Sequence, residues 1–195
     1  MKRILSIDFD YFINTGIYTR NEKFPDGEDH LANVQDIWLN HYLKYPEIHN
    51  IGVTLNFHNY CRALRSLEKG KVLIADSHAD IVKVFNDIDV DERLEVVNID
   101  FHHDNYITGG DTLDCANWVR HLMTKRPNTK FYWVRREDSE TVSLEGEFPY
   151  PHGIEYLNTL DFDYVFLCFS PEWTPPHLRP YFNDLCRAVD HLDKF

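Results

Sequence analysis

A chain of 195 residues, 43% hydrophobic and 14% aromatic, is long enough for one domain with a sizeable core and short for two. Its 32 acidic residues outnumber the 20 basic ones, and the net charge of −12 argues against a nucleic-acid partner and favours a cationic ligand. No apolar run approaches the ~20 residues of a membrane helix, Asp8 and Asp10 interrupt the first apolar run where a signal peptide needs continuity, and Cys61, Cys115, Cys168 and Cys186 show no CxxC spacing, so a cytoplasmic protein with free thiols and no membrane partner is expected.

In chain order, the first apolar run, residues 3–7, reads as a strand covered on both faces because its hydrophobicity is continuous rather than alternating. Residues 14–29, with Gly16, Pro25 and Gly27, lack periodicity and read as a long loop. Helical spacing follows over 31–43 and 57–68, then a strand over 71–75, a helix over 78–85 and a strand over 94–99. A helix over 112–123, a strand over 130–134, an irregular piece rich in Pro, Gly and aromatics over 145–153, a strand over 164–169 and a helix over 177–192 complete the chain. The alternation predicts an α/β domain spanning 1–195, with a mostly parallel central sheet. Ligands of such a sheet bind at the carboxyl ends of its strands.

Three of those ends carry unusual chemistry. The first supplies Asp8 and Asp10 as D-x-D, the second Asp76, His78 and Asp80 as D-x-H-x-D, and the third Asp100, His102 and Asp104 as a second D-x-H-x-D. In extended chain, alternate residues point the same way, which aims each pair of donors at one side. Crowded carboxylates repel and lose hydration, so a multiply charged cation is the natural partner of such a cluster. Ordinary readings stand beside this one. A D-x-D often caps a helix or is solvated, Asp76 can cap a helix opening near His78, His103 can be a loop histidine bonded to a neighbour, and Asn117 and Trp118 can support loop or helix packing. A set of two imidazoles and four carboxylates suits two Mn²⁺ ions better than a thiolate-loving metal.

These motifs resemble those of the ureohydrolases, the arginase and agmatinase family, and most nearly the small peptide arginases that convert arginine to ornithine in ribosomally made peptides. His78 precedes Asp100 by 22 positions, close to the spacing of the family's helix-starting His from its D-x-H-x-D. The D-x-D comes first in the chain rather than late, as a permuted order would give. The segments DCANWVRHL (114–122) and CFSPEWTPPHL (168–178) add to the likeness.

The resemblance implies a three-layer arginase-like sandwich with permuted strand order. It also implies two Mn²⁺ per chain held by Asp8, Asp10, His78, Asp100, His102 and Asp104, with Asp8 and Asp100 bridging. A water shared by the ions would ionise near neutral pH and attack the guanidinium carbon, and Asp104 would carry its proton to the leaving amine. Glu172 would orient the guanidinium, His103 would shuttle protons, and Asn105 and Asn117 would contact substrate. The products would be urea and an ornithine side chain within an arginine-containing precursor peptide, flanked by the loops at 145–153 and 171–177. A rival register stays open, with Asp76, His78 and Asp80 as the D-x-H-x-D and His58 as the upstream His. A deacetylase-like or phosphoesterase metal hydrolase, a free-guanidine ureohydrolase and a non-catalytic metal-binding module are the alternatives, and homo-oligomerisation is left open. A phosphoesterase would call for a Gly-rich loop or clustered Arg and Lys near the site, and neither is found.

Overall fold

Each of the five continuous apolar runs forms a strand, and a sixth short strand closes one edge. The computed structural model describes residues 1–25, 32–107, 112–141, 148, 157 and 161–195. Its elements are β1 (Lys2–Asp8), α1 (Ile17–Lys23), α2 (Val34–Lys44), α3 (Phe57–Arg65), β2 (Lys71–Ala75), α4 (Val82–Asn86), β3 (Leu94–Ile99), α5 (Trp118–Lys125), β4 (Lys130–Val134), β5 (Tyr164–Cys168), α6 (Arg179–Ala188) and β6 (Asp193–Lys194). All pairings are parallel, in the order β4-β3-β1-β5-β2-β6.

Strand alternation divides the core into two. Ile4, Val96 and Phe166 face Val84, Phe85, Trp118, Val119 and Leu122, which come from α4 and α5. Leu5, Ile7, Val97, Val165 and Leu167 face Trp38, Phe57, Leu64, Phe182 and Leu185, which come from α2, α3 and α6. Helices therefore cover both faces of the sheet, a three-layer sandwich. Each fully buried large apolar side chain contributes ~1.5–3 kcal/mol, which explains why strands in this position are apolar throughout rather than on alternate residues.

Register brings the chemistry to one edge. Ile7 lies opposite Ile99, and Cys168 lies opposite both Asp8 and Ala75, so the carboxyl ends of β3, β1, β5 and β2 finish level. The segments that follow those four ends converge on one crevice beside the central strands.

The structure departs from the expected elements in several places. The 14–29 segment contains α1, whose one buried residue is Arg20, so no apolar stripe marks it as a helix. The helix expected over 78–85 is a 3-10 turn at His78–Ile81 followed by α4, and the one expected over 112–123 begins only at Trp118. The last expected helix is a 3-10 turn at Pro176–Leu178 followed by α6, which ends at Ala188 before β6. Of the piece expected over 145–153, only Phe148 is described, with its ring on Phe131. Leu31, where the second helix was expected to start, is also outside the described residues. Among the described residues no helix is long and apolar enough to cross a membrane, and none of the four cysteines forms a disulfide.

Candidate metal centre

Asp8, the last residue of β1, turns the chain into a 3-10 helix at Phe9–Phe12, with its Oδ1 accepting the Asp10 N–H at 3.0 Å. Asp100, just beyond β3, repeats the device, its Oδ1 accepting the His102 N–H at 2.9 Å. The third strand end does the same with a hydroxyl, Ser77 Oγ accepting the Ala79 N–H at 3.1 Å. Short polar side chains that bond the backbone two residues on build such turns. Ser77, not Asp76, thus caps the turn that carries His78. It follows that turns, and not extended alternation, bring Asp10 and His102 back to the cluster.

In each acidic turn one carboxylate oxygen is committed to the backbone and the other is aimed inward. His78 Nδ1 lies 3.3 Å from Asp8 Oδ2, 3.2 Å from Asp100 Oδ2 and 3.0 Å from Asp104 Oδ2. Its Nε2 is 2.7 Å from Ser6 Oγ, and its ring stacks on Phe166 at 5.6 Å. Despite three oxygens so near, Nδ1 has no partner in hydrogen-bonding geometry and is buried. With Nε2 donating to Ser6 and the ring neutral, as ligation requires, Nδ1 would present a lone pair to the same volume as the three carboxylates, the pattern of a ligating histidine fixed by its other nitrogen. Cis donors on an ion bound at ~2.1 Å lie about 3 Å apart, which matches these spacings. Asp8, His78 and Asp100 form one buried donor triad and Asp10, Asp100 and His102 a second, each with ligand atoms within 4.8 Å of one another and both using Asp100. The site residues therefore fit a divalent cation, and none of the triad members is a cysteine.

The supporting shell is specific. Trp118, the first residue of α5, donates its indole N–H to Asp104 Oδ2 at 2.6 Å, Ser170 donates to Asp8 Oδ2 at 2.6 Å, and Asn98 donates to Asp100 Oδ2 at 3.2 Å. Asp104 and Ser170 both have left-handed backbone (φ 50° and 49°), a strained conformation that persists where the surroundings enforce it and that clusters at functional sites. Arg20, buried on α1, stacks on Phe101 at 3.7 Å and donates to the Asp10 carbonyl at 2.7 Å and to Asp10 Oδ2 at 3.3 Å.

Electrostatics follow from this crowding. Burial, then the Asp10 charge, pushes the Asp8 carboxyl up to about 6. Burial and the Asp104 charge push Asp100 up to about 7. Burial would raise Asp10 as well, but His102 and Arg20 hold it at about 2. His102, 2.9 Å from Asp10 through Nδ1, rises to about 9 because Asp10 and Asp100 outweigh the burial that opposes its charge. Burial likewise opposes a charge on His78, yet Asp100, Asp104 and Asp8 carry it well above the ordinary imidazole range. Without metal, protons and Arg20 neutralise a cluster that divalent ions would otherwise balance.

All six expected ligands thus meet. The rival register does not: Asp76 is exposed and paired with Arg179, Asp80 pairs with Lys83, and His58 is on the surface. Other expected residues sit apart from the cluster. His103 is buried between Tyr106 and Trp133 with Nδ1 accepting the Asn105 N–H, and Asn117 bonds the Asp114 N–H and the Thr112 carbonyl; both match their structural readings. Glu172 is buried and, like Asn105, His103 and Asn117, is not among the residues lining the cavity over the metal donors. That cavity, about 180 Å³, is lined by Asp8, Asp10, His78, His102, Asp104 and Ser170, and beyond them by Tyr106, Cys115, Ala116, Glu140 and Trp173. Sequence reasoning missed Arg20 and Glu140, which share no motif with the candidate ligands, and gave no role to Tyr106, two residues beyond Asp104, or to Trp173, within the 168–178 segment. Ser6 and Asn98 were within reach of it, each lying two positions before a site Asp at the end of a strand.

No protein-family model, curated protein or solved structure matches this chain.

Proposed function

We propose that this protein is a binuclear manganese hydrolase that converts peptidyl arginine to ornithine with release of urea, on a permuted ureohydrolase-like sandwich. One observation carries the reading: two donor triads, buried but for the half-buried His102, overlap at Asp100 beneath a cavity, with His78 Nδ1 within 3.3 Å of three carboxylates. Asp8, His78, Asp100 and Asp104 would hold one ion, and Asp8, Asp10, Asp100 and His102 the other. Bound divalent ions supply Lewis acidity and lower the pKa of water to near neutrality. The chain does the rest. Ser6 orients His78, Ser170 and Asn98 orient the two shared carboxylates, and Asp104, steadied by Trp118, passes the proton of the attacking water to the leaving amine. Glu140, the one acid of the cavity lining not assigned to an ion, and the net charge of −12 favour a cationic substrate over a phosphate ester. The single buried arginine of the site, Arg20, is already turned onto Asp10.

The test is urea release from an arginine-containing peptide by the Mn²⁺-loaded protein, with a mass loss of one CN₂H₂ unit per converted arginine. Release that depends on Mn²⁺, with kcat/KM for the peptide above that for free L-arginine, supports the reading. Absence of urea from both substrates in a metal-loaded sample refutes it, and faster turnover of free arginine refutes the peptide assignment alone.

A further inference from the structure

We propose that Glu140, the Tyr106 hydroxyl and the Trp173 indole form the recognition site for a planar cation, a guanidinium or amidinium head group carried on a long side chain. The proposal rests on the guanidinium-hydrolase reading and moves the substrate anchor from Glu172 to Glu140. The cavity over the metal donors adjoins a second one of about 240 Å³, and the two share His102, Glu140 and Trp173. Together they make one cleft. Its inner lobe has the donor carboxylates as floor, and its outer lobe is lined by Arg20, already paired with Asp10, and Asn21 as well as by Ile17, Phe24 and Pro25, which offer a methylene stem apolar contacts on one part of the wall.

Glu140 stands at the junction of the lobes. Its carboxylate is 3.8 Å from His102 Nε2, too far for a hydrogen bond, has the Tyr106 hydroxyl beside it, and is 24% exposed, so it lines the cleft with acceptor capacity for a ligand. Its backbone is fixed by the fold: the Glu140 N–H donates to the Phe101 carbonyl at 3.3 Å, and Arg136, four residues earlier, donates to the Ile13 carbonyl at 2.6 Å. The Tyr106 hydroxyl is buried in the inner lobe beside Glu140, where burial and then the Glu140 charge oppose its ionisation; it can donate to that carboxylate, and its oxygen keeps acceptor capacity for an incoming N–H. Trp173, half-buried, borders both lobes and offers an aromatic face. One carboxylate that can take paired N–H donors, a hydroxyl acceptor and a π-face match a flat, delocalised cation better than a compact ammonium.

Glu140 has a competing role, orienting His102 from its outer nitrogen to aid metal binding. Loss of such a support weakens metal affinity by roughly 10- to 100-fold, whereas loss of a substrate anchor leaves it intact.

The experiment is calorimetric titration of the Mn²⁺-loaded chain with the amide of N-acetyl-Nδ-iminoethyl-ornithine, whose amidinium cannot release urea. The N-acetyl amides of citrulline and lysine serve as neutral and ammonium comparisons. The amidinium probe should bind wild type about tenfold or more tighter than either comparison. Glu140→Gln should lose about tenfold or more for the amidinium probe while binding Mn²⁺ as wild type does. Trp173→Leu should weaken the probe in the same direction. Equal binding of the three probes overturns the proposal. So does unchanged probe affinity in Glu140→Gln, a loss of Mn²⁺ affinity in its place, or a loss confined to Glu172→Gln. Glu140-dependent binding without urea release from an arginine peptide supports this site and refutes the hydrolase reading; Mn²⁺-dependent urea release that Glu140→Gln leaves unchanged does the reverse.

Discussion

Asp8 and Asp100 each do two jobs with two oxygens: one caps a turn, and the other points at His78 Nδ1. Replacing either with alanine removes a donor that both proposed ions would share and leaves a backbone N–H without its acceptor, so on the proposed function Asp8→Ala and Asp100→Ala should lose most bound Mn²⁺ and all urea release. Asp76→Ala removes only an exposed pair with Arg179, of a kind worth about 0–1 kcal/mol, and should retain metal and turnover. Metal analysis of the three variants checks this, and the reverse pattern would restore the rival register. At this scale the cluster of six candidate ligands was legible because acids and imidazoles at strand ends have few structural uses. Arg20 and Glu140 were not. Glu140 reaches the site from a segment distant in sequence and Arg20 from the stretch read as a loop, and a lone Arg or Glu in a loop is ordinary until the fold brings it near.

Strands were easier to read than helices because burial on both faces leaves continuous apolar runs with sharp ends. Helix α1 shows the limit: its docking rests on a polar residue, so hydrophobic periodicity is silent. Arg20 ties α1 to Asp10 and Phe101 with 6% exposure. Arg20→Met leaves His102 as the cation beside the buried Asp10 carboxylate but removes the hydrogen bonds to its carbonyl and carboxylate and should destabilise the metal-free protein by about 1–3 kcal/mol. Urea-induced unfolding measures this loss. Added Mn²⁺ should recover part of it, since an ion held by Asp10 replaces the missing charge, and an unchanged unfolding midpoint would show that α1 docks by other contacts.

Stability of the whole molecule should depend on pH in opposite senses with and without metal. Asp8 and Asp100 titrate near 6 and 7 in the fold, above the ordinary 3.8, so their contribution to the metal-free fold is full below about pH 4 and is lost as pH rises through those values. His102, raised from 6.5 to about 9, adds in the same sense, its contribution fading as pH rises toward 9. Metal ligation needs ionised carboxylates and neutral imidazoles, so Mn²⁺ binding strengthens over the same range. The rise in melting temperature on adding Mn²⁺ should thus be small near about pH 5.5 and grow by about pH 7.5. At a hundredfold excess over Kd the gain is about 2.7 kcal/mol, roughly 5–10 °C for a chain of this size. A gain that shrinks with rising pH would contradict it. The most direct test of the binuclear centre is the manganese content of Mn²⁺-loaded, desalted wild-type protein: the overlapping triads predict close to two ions per chain, and a reproducible value of one or fewer would contradict the account.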